Sequence, residues 1–98
     1  ELMKLIIAEE VLKLAASKGH FELTLDLFTA GNNCVPVSEP VVHFGPPKDP
    51  VVKYDIREQD GLKIYVFKGA HAKKGEVRIH LKSFLGLKSL EAEGINML

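Results

Sequence analysis

A strict alternation of apolar and polar side chains runs from Phe21 to Leu27, and it restricts the fold more than any other feature of the sequence. Side chains of a β-strand point alternately to opposite faces, so a period of two predicts a half-buried strand. The pattern places Phe21, Leu23, Leu25 and Leu27 on the buried face. A chain with this segment is expected to build a sheet around it.

Several further segments have the composition of strands. They are predicted at Val35 to Phe44, Val51 to Glu58, Leu62 to Phe67, Val77 to Leu81 and Leu87 to Ala92, with an earlier extended segment at Met3 to Ile7. Pro36 and Pro40 confine the first of these to an edge or a bulged strand, because proline cannot donate to a strand ladder. Asp60-Gly61 predicts a tight hairpin between the strands on either side of it. Loops are expected at 45–50 and 68–75, and a bend at 83–86.

One helix is predicted near the start of the chain, from Ala8 to Ala16. Glu9 and Glu10 suit the positive end of the helix dipole, and Gly19 stands where a left-handed capping glycine belongs. A helix followed by a run of strands predicts an α+β fold with a mostly antiparallel sheet. The length of 98 residues fits a single domain over 1–98.

Composition excludes several classes of protein. The 13 basic and 13 acidic residues balance, so we expect no nucleic-acid partner, because such binding needs a basic excess. Only one cysteine is present, which excludes a secreted disulfide scaffold. No segment approaches the roughly 20 apolar residues that span a bilayer, so we expect a soluble, cytoplasmic protein without a membrane partner. Neutral charge and an edge-like strand favour a homodimer.

Catalytic and metal motifs are absent from the sequence, and no catalytic residue is predicted. His20, His43, His71 and His80 form no closely spaced ligand pair, and no serine lies in a G-x-S-x-G turn. His80 shares a strand face with Arg78 and Lys82 and is expected to be solvated. His43 is expected to be a hydrogen-bonded strand residue.

Cys34 is the one residue with distinctive chemistry, and two interpretations stay open. An isolated cysteine is most often a small apolar residue, packed here beside Val35. Cys34 also follows a predicted turn, Gly31-Asn32-Asn33, whose backbone N–H groups could favour a thiolate and expose it. A thiolate is a soft metal ligand and a nucleophile in disulfide exchange.

The order of motifs resembles the HesB/IscA-like domains of iron–sulfur cluster assembly, and most closely the small branch named for a Cys-Cys or Cys-selenocysteine motif. The segments that carry the resemblance are Ala8-Glu9-Glu10, Phe21 to Leu27, Gly31-Asn32-Asn33-Cys34, Glu39-Pro40-Val41-Val42, Gly45-Pro46-Pro47, Asp60 to Val66 and Leu81 to Leu90. The resemblance covers nearly the whole chain. It implies a HesB-like β-sandwich or flattened barrel with an N-terminal helix.

The resemblance also implies a site and a function. It places the paired redox position on Asn33 and Cys34, so only Cys34 retains a thiol, and the segment 93–98 lacks the C-terminal cysteine pair of the assembly scaffolds. The implied function is non-enzymatic thiol or metal handling in iron–sulfur or redox homeostasis, with Cys34 as metal ligand and Gly31, Asn32 and Asn33 presenting it. Cys34 would then bind iron or an iron–sulfur cluster shared across a dimer. Alternatively, it would form a mixed disulfide with a thiol-bearing protein partner. The alternative function is a protein-interaction module whose cysteine is incidental.

Overall fold

The computed structural model describes residues 4–31 and 36–96. Within these ranges the chain forms the helix α1, Glu9–Lys18, and a short 3-10 turn, Val51–Lys53. The strands are β1 Lys4–Ile7, β2 Glu22–Gly31, β3 Pro36–Phe44, β4 Tyr54–Gln59, β5 Leu62–Phe67, β6 His71–Ala72, β7 Glu76–Phe84, β8 Leu87–Glu93 and β9 Ile95–Asn96. The fold is therefore a small α+β fold made mostly of strands, as predicted.

Helix α1 ends as its sequence predicts, although it runs two residues beyond the predicted end at Ala16. Gly19 adopts the left-handed conformation, with φ at 69°. Its N–H donates to the Ala16 carbonyl at 3.3 Å, and the N–H of His20 donates to the Ala15 carbonyl at 2.9 Å. These bonds satisfy carbonyls that the last helical turn leaves without partners. No helix in the described ranges has the length and apolar character needed to cross a membrane.

The described strands form mixed sheets. One sheet has the order β1-β7-β8, a second has the order β3-β2-β5-β4, and β6 pairs with β9. The β1–β7 and β2–β5 pairs are parallel, and the other pairs are antiparallel. The extended segment predicted ahead of the helix is confirmed as β1, which pairs with β7. The prediction that the helix opens the fold needs correction for this reason. Hydrophobic periodicity identifies strands but does not encode their direction or their partners.

Among the described residues, one apolar cluster joins the two larger sheets and the helix. Its buried members are Leu5, Ile7, Val11, Ala15, Leu23, Leu25, Leu62, Ile64, Val66, Val77, Ile79 and Ile95. In the parallel pairs, Leu5 lies opposite Val77 and Leu23 lies opposite Ile64, so apolar rows of adjacent strands coincide. This alignment fixes the register, because a shift by one residue would turn each row away from the core.

Two seams connect the larger sheets. Strand β8 of the first sheet approaches β3, the end strand of the second. On the other side, the Gln59 side-chain amide donates to the Leu5 carbonyl at 2.8 Å. That carbonyl belongs to the outer strand of the first sheet, so Gln59 satisfies a backbone group on its open edge.

Three local predictions are wrong. Phe21 precedes β2 and is 59% exposed, whereas it was expected to face inward with Leu23 and Leu25. Residues Val51–Lys53 form a 3-10 turn rather than the start of a strand. The segment expected to be a polar loop, 68–75, contains the short strand β6. The first two errors concern the end of an element, where local pattern is weakest. The third is a two-residue strand, which is too short to show an alternating pattern and depends on its pairing with β9.

The two tight hairpins use the same backbone geometry with different residues. Asp60 and Gly61 have φ values of 54° and 79° and form the predicted turn between β4 and β5. Leu85 and Gly86, with φ values of 52° and 81°, connect β7 to β8. Aspartate is common at the first of these positions, whereas leucine in the left-handed region costs about 1–2 kcal/mol. Nothing in the packing of the hairpin accounts for the leucine, because Leu85 is 85% exposed.

Candidate functional site

In the sequence, the predicted thiol site falls between two long strands that pair with each other, β2 and β3. β2 and β3 pair antiparallel from Leu23 opposite Phe44 to Gly31 opposite Pro36. Gly31 is thus the last paired residue of β2, at the base of the connecting segment. That segment, 32–35, includes Asn32, Asn33 and Cys34 and lies outside the described residues.

Both prolines of β3 occupy positions that leave the ladder intact. The Gly45 N–H donates to the Glu22 carbonyl at 2.8 Å, which identifies Glu22 and Gly45 as a hydrogen-bonded pair. Hydrogen-bonded and non-hydrogen-bonded pairs alternate along an antiparallel ladder. Counting from Glu22 and Gly45, the pairs that contain Pro40 and Pro36 are both non-hydrogen-bonded, so the nitrogens of these prolines point away from β2. The missing N–H groups therefore cost no bond to β2. As predicted, β3 is the end strand of its sheet.

The four histidines make different local contacts. His20 stacks on Phe44 with ring centroids 5.2 Å apart, and His43 Nδ1 lies 3.1 Å from the Phe44 carbonyl. His71 is exposed in β6, and His80 lies in β7. Among the described residues, no group of three or more histidine, cysteine, aspartate or glutamate side chains could hold a metal ion. Cys34 lies outside the described residues.

His80 is less solvated than its sequence neighbours suggested, because carboxylates from β8 lie opposite it. Its Nε2 is 3.6 Å from Glu91 Oε1 and 3.6 Å from Glu93 Oε1, and its side chain is 29% exposed. These separations are longer than hydrogen bonds, and Nε2 is buried without a partner among the described atoms. Nδ1 lies 3.3 Å from the Leu81 carbonyl, which can only accept, so a bond there requires the proton on Nδ1. The prediction that His80 is solvated therefore needs correction, because strand pairing places His80 directly opposite Glu91.

A second polar pair was not anticipated from the sequence. Tyr54, only 5% exposed, donates its hydroxyl to Asp26 Oδ2 at 2.8 Å. The ring meets Tyr65 edge to face, with centroids 6.5 Å apart. Burial is the first cause that raises the pKa of Tyr54 to about 12, and the hydrogen bond and charge of Asp26 add to it. No local signal could identify this pair, since β2 and β4 are separated in the sequence and in the sheet by other strands.

We expect folding stability to depend on Tyr54 ionisation in alkaline solution. The folded pKa of about 12 lies above the ordinary value of 10, so the protonated phenol stabilises the native state fully below pH 10, and this contribution is lost as the pH rises toward 12. Tyr54→Phe removes the hydrogen bond to Asp26, so its free energy of unfolding at neutral pH should be about 1 kcal/mol lower than that of the wild type. Its free energy of unfolding should also fall less steeply as the pH rises. Urea unfolding at neutral and alkaline pH measures both effects. An equally steep decline in the variant would assign the loss to other groups.

An open depression of about 460 Å³ lies on another part of the surface, lined by residues of both signs of charge. Its charged side chains are Lys73, Lys74, Glu76, Arg78 and Glu93. Arg78 Nε already contacts Glu76 Oε2 at 3.0 Å. The arrangement is a solvent-exposed mixture of charges rather than a concentrated anion or cation site.

The comparisons with known proteins identify the family. The family model described as "CC/Se motif containing family" matches residues 3–95. Among curated proteins, none matches this chain. The family match covers β1 to the start of β9, including the strands on either side of Cys34. The chain therefore belongs to the CC/Se motif containing family.

Proposed function

We propose that this protein is a non-enzymatic thiol or metal-handling protein, with Cys34 as its reactive group. The observation that carries the proposal is the family match, because the family is described by a CC/Se motif and Cys34 is the only cysteine in the chain. The resemblance noted above places that motif on Asn33 and Cys34. One position of the pair is asparagine here, so the chemistry proposed is that of a single thiol.

The fold proposed is a HesB-like flattened barrel. Two observations support it: β8 approaches β3, and Gln59 bridges from the β4–β5 hairpin to the outer edge of β1. Together these seams bring the two larger sheets toward closure around one apolar cluster. The proposed relationship to iron–sulfur assembly domains follows from this fold and from the resemblance in motif order.

A single thiol can act in two ways that require no second cysteine in the same chain. In disulfide exchange, the Cys34 thiolate attacks a partner disulfide, forms one mixed disulfide and releases the partner's other sulfur as a thiolate, so electrons and atoms balance. In metal handling, Cys34 from each of two copies would supply two thiolates to iron or to an iron–sulfur cluster. Both roles suit the cytoplasm, where thiols are kept reduced.

The first experiment is thiol reactivity of the native protein, compared with Cys34→Ser. We expect native Cys34 to react with an aromatic disulfide and with glutathione disulfide at least as fast as the urea-unfolded chain does, because a thiolate-favouring, accessible position raises the rate. Mass spectrometry should show one adduct on the wild type. Cys34→Ser, which keeps the size of the side chain, should show none.

Metal handling is tested by anaerobic reconstitution with ferrous iron and sulfide. We expect visible absorption and bound iron with the wild type, in a species of twice the monomer mass, and a loss of both with Cys34→Ser. Asn33→Cys restores a cysteine pair and should bind more iron than the wild type. Slow labelling that requires unfolding, together with equal iron content in the wild type and Cys34→Ser, would contradict the proposal.

A protein-interaction module with an incidental cysteine is the second candidate. The observation that favours it is the exposure of apolar side chains on the described surface. Leu85 and Leu87, at one hairpin tip, are 85% and 75% exposed, and Val52 is 74% exposed. Buried, unreactive Cys34 would favour this candidate over thiol chemistry.

A further inference from the structure

The tip of the β7–β8 hairpin carries an apolar surface that the fold does not require. Leu85 and Leu87 are 85% and 75% exposed, on either side of Gly86. Leu85 also has a φ of 52°, which leucine adopts at a cost in free energy. The equivalent turn at Asp60-Gly61 has the same geometry with a residue that tolerates it. The comparison of these two turns indicates that leucine at position 85 has a role other than stabilising the fold.

Within the hairpin segment itself the charged side chains have one sign, although the Glu10 carboxylate of α1 accepts the N–H of Leu81 at 3.2 Å, at the start of that segment. The segment from Leu81 to Leu90 contains two lysines and no acidic residue. Lys82 and Lys88 are both exposed. The local excess of positive charge contrasts with the zero net charge of the whole chain. A surface that fits this tip is therefore both apolar and anionic.

The spacing of the lysines behind the leucines matches the depth of a lipid headgroup layer. Phe84 and Leu87 form the last pair of the ladder, and Lys82 lies two pairs behind, opposite Ser89. At about 3.3 Å per residue, Lys88 stands about 3 Å and Lys82 about 7 Å behind that last pair. Interfacial amphipathic helices bury their apolar face about 5–10 Å into the boundary between headgroups and acyl chains, and we take the same depth for this hairpin tip. The ammonium groups would then lie at the level of the lipid phosphates, where long lysine side chains can reach them.

We propose that this hairpin tip inserts Leu85 and Leu87 into the surface of an anionic lipid bilayer, with Lys82 and Lys88 contacting the headgroups. Leu85 lies in the turn beyond the last ladder pair and Leu87 belongs to that pair, and both are largely exposed, which suits a deformable surface that can enclose the tip. The contact is weak and reversible, because two leucines and two lysines provide a small area and few charges. Absence of a membrane partner was expected because no segment spans a bilayer, but a tip that enters only the headgroup region needs no such segment.

The test is sedimentation of the full chain with extruded vesicles. One set contains phosphatidylcholine alone, and the other contains phosphatidylcholine and phosphatidylserine. We expect more protein to bind the second set, and binding to fall in high salt, since surface charges are screened. Leu85→Asn should lower the partition coefficient roughly tenfold, the effect of removing one inserted leucine.

Matched variants separate insertion from unfolding. Leu85→Asn places a residue that favours the left-handed region at position 85, so its unfolding midpoint should equal or exceed that of the wild type. Val52→Asn removes a similarly exposed apolar side chain elsewhere and should leave binding unchanged. Lys82→Gln with Lys88→Gln should abolish the preference for phosphatidylserine.

Two results would overturn the proposal. One is equal binding of wild type and Leu85→Asn to anionic vesicles. The other is wild-type binding no greater on anionic than on neutral vesicles, which would direct attention to a protein partner for the same tip. Cys34→Ser should bind vesicles like the wild type, so failure of the thiol proposal and failure of this one are independent.

Discussion

Replacing Gly94 with alanine is expected to destabilise the fold by about 2–5 kcal/mol, the sum of a left-handed backbone penalty and of local overpacking. Gly94 has a φ of 88°, and a Cβ at this position would lie 2.7 Å from the Glu76 carbonyl oxygen. That oxygen belongs to the backbone of β7 and cannot move aside as a flexible side chain could. The measurement is the free energy of unfolding in urea at neutral pH.

Gly86→Ala is the matched control for this prediction. Gly86 has a similar φ of 81°, but a Cβ there meets nothing within 4 Å. Its replacement should therefore cost only the backbone penalty of about 1–2 kcal/mol. If both variants lost the same stability, the close approach between Gly94 and Glu76 would have no energetic role.

The second large effect is expected at Ile79. This side chain is fully buried, and the Ile79 carbonyl also accepts the N–H of Ala8 at 2.9 Å, where β1 leads into α1. Ile79→Ala should leave a cavity where β1, α1 and β7 meet and lower the free energy of unfolding by about 2–5 kcal/mol. Circular dichroism during thermal and urea unfolding would measure the change.

Ile56→Ala provides the same chemical change at a site that is 46% exposed. We expect it to cost less than about 1 kcal/mol, because only part of the side chain leaves an apolar environment and no closed cavity forms. If Ile79→Ala and Ile56→Ala lowered the free energy of unfolding by similar amounts, Ile79 would not belong to the stabilising core.

Those elements of the fold that depend on residues close in sequence could be predicted well. The helix end at Gly19 follows from the capping requirement of the last turn, and the hairpin at Asp60-Gly61 follows from the need for positive φ at both turn residues. Strand β2 follows from alternation, which correctly buries Leu23 and Leu25, although Thr24, on the face predicted to be solvated, is also buried and donates its hydroxyl to the Gly45 carbonyl. These features are local because the forces that determine them act within a few residues.

The features that were missed depend on residues brought together by the sheets. The parallel pairs have no signal in periodicity, since alternation is the same for either strand direction. The contact of Tyr54 with Asp26 and the approach of Glu91 and Glu93 to His80 both require the strand order to be known first. For the candidate thiol site, the sequence identified Cys34 by its uniqueness and the structure fixed the two strands that lead to it, ending at Gly31 and starting at Pro36.

The parallel pairing of β1 with β7 has a consequence for biosynthesis. Lys4 to Ile7 are synthesised about 70 residues before their partners, Glu76 to Ile79. At about 5–20 residues per second, the strand with Leu5 and Ile7 waits roughly 4–14 seconds for a place in the sheet. During that interval these two apolar side chains remain available to chaperones, and the first sheet cannot be completed before β7 and β8 have been made.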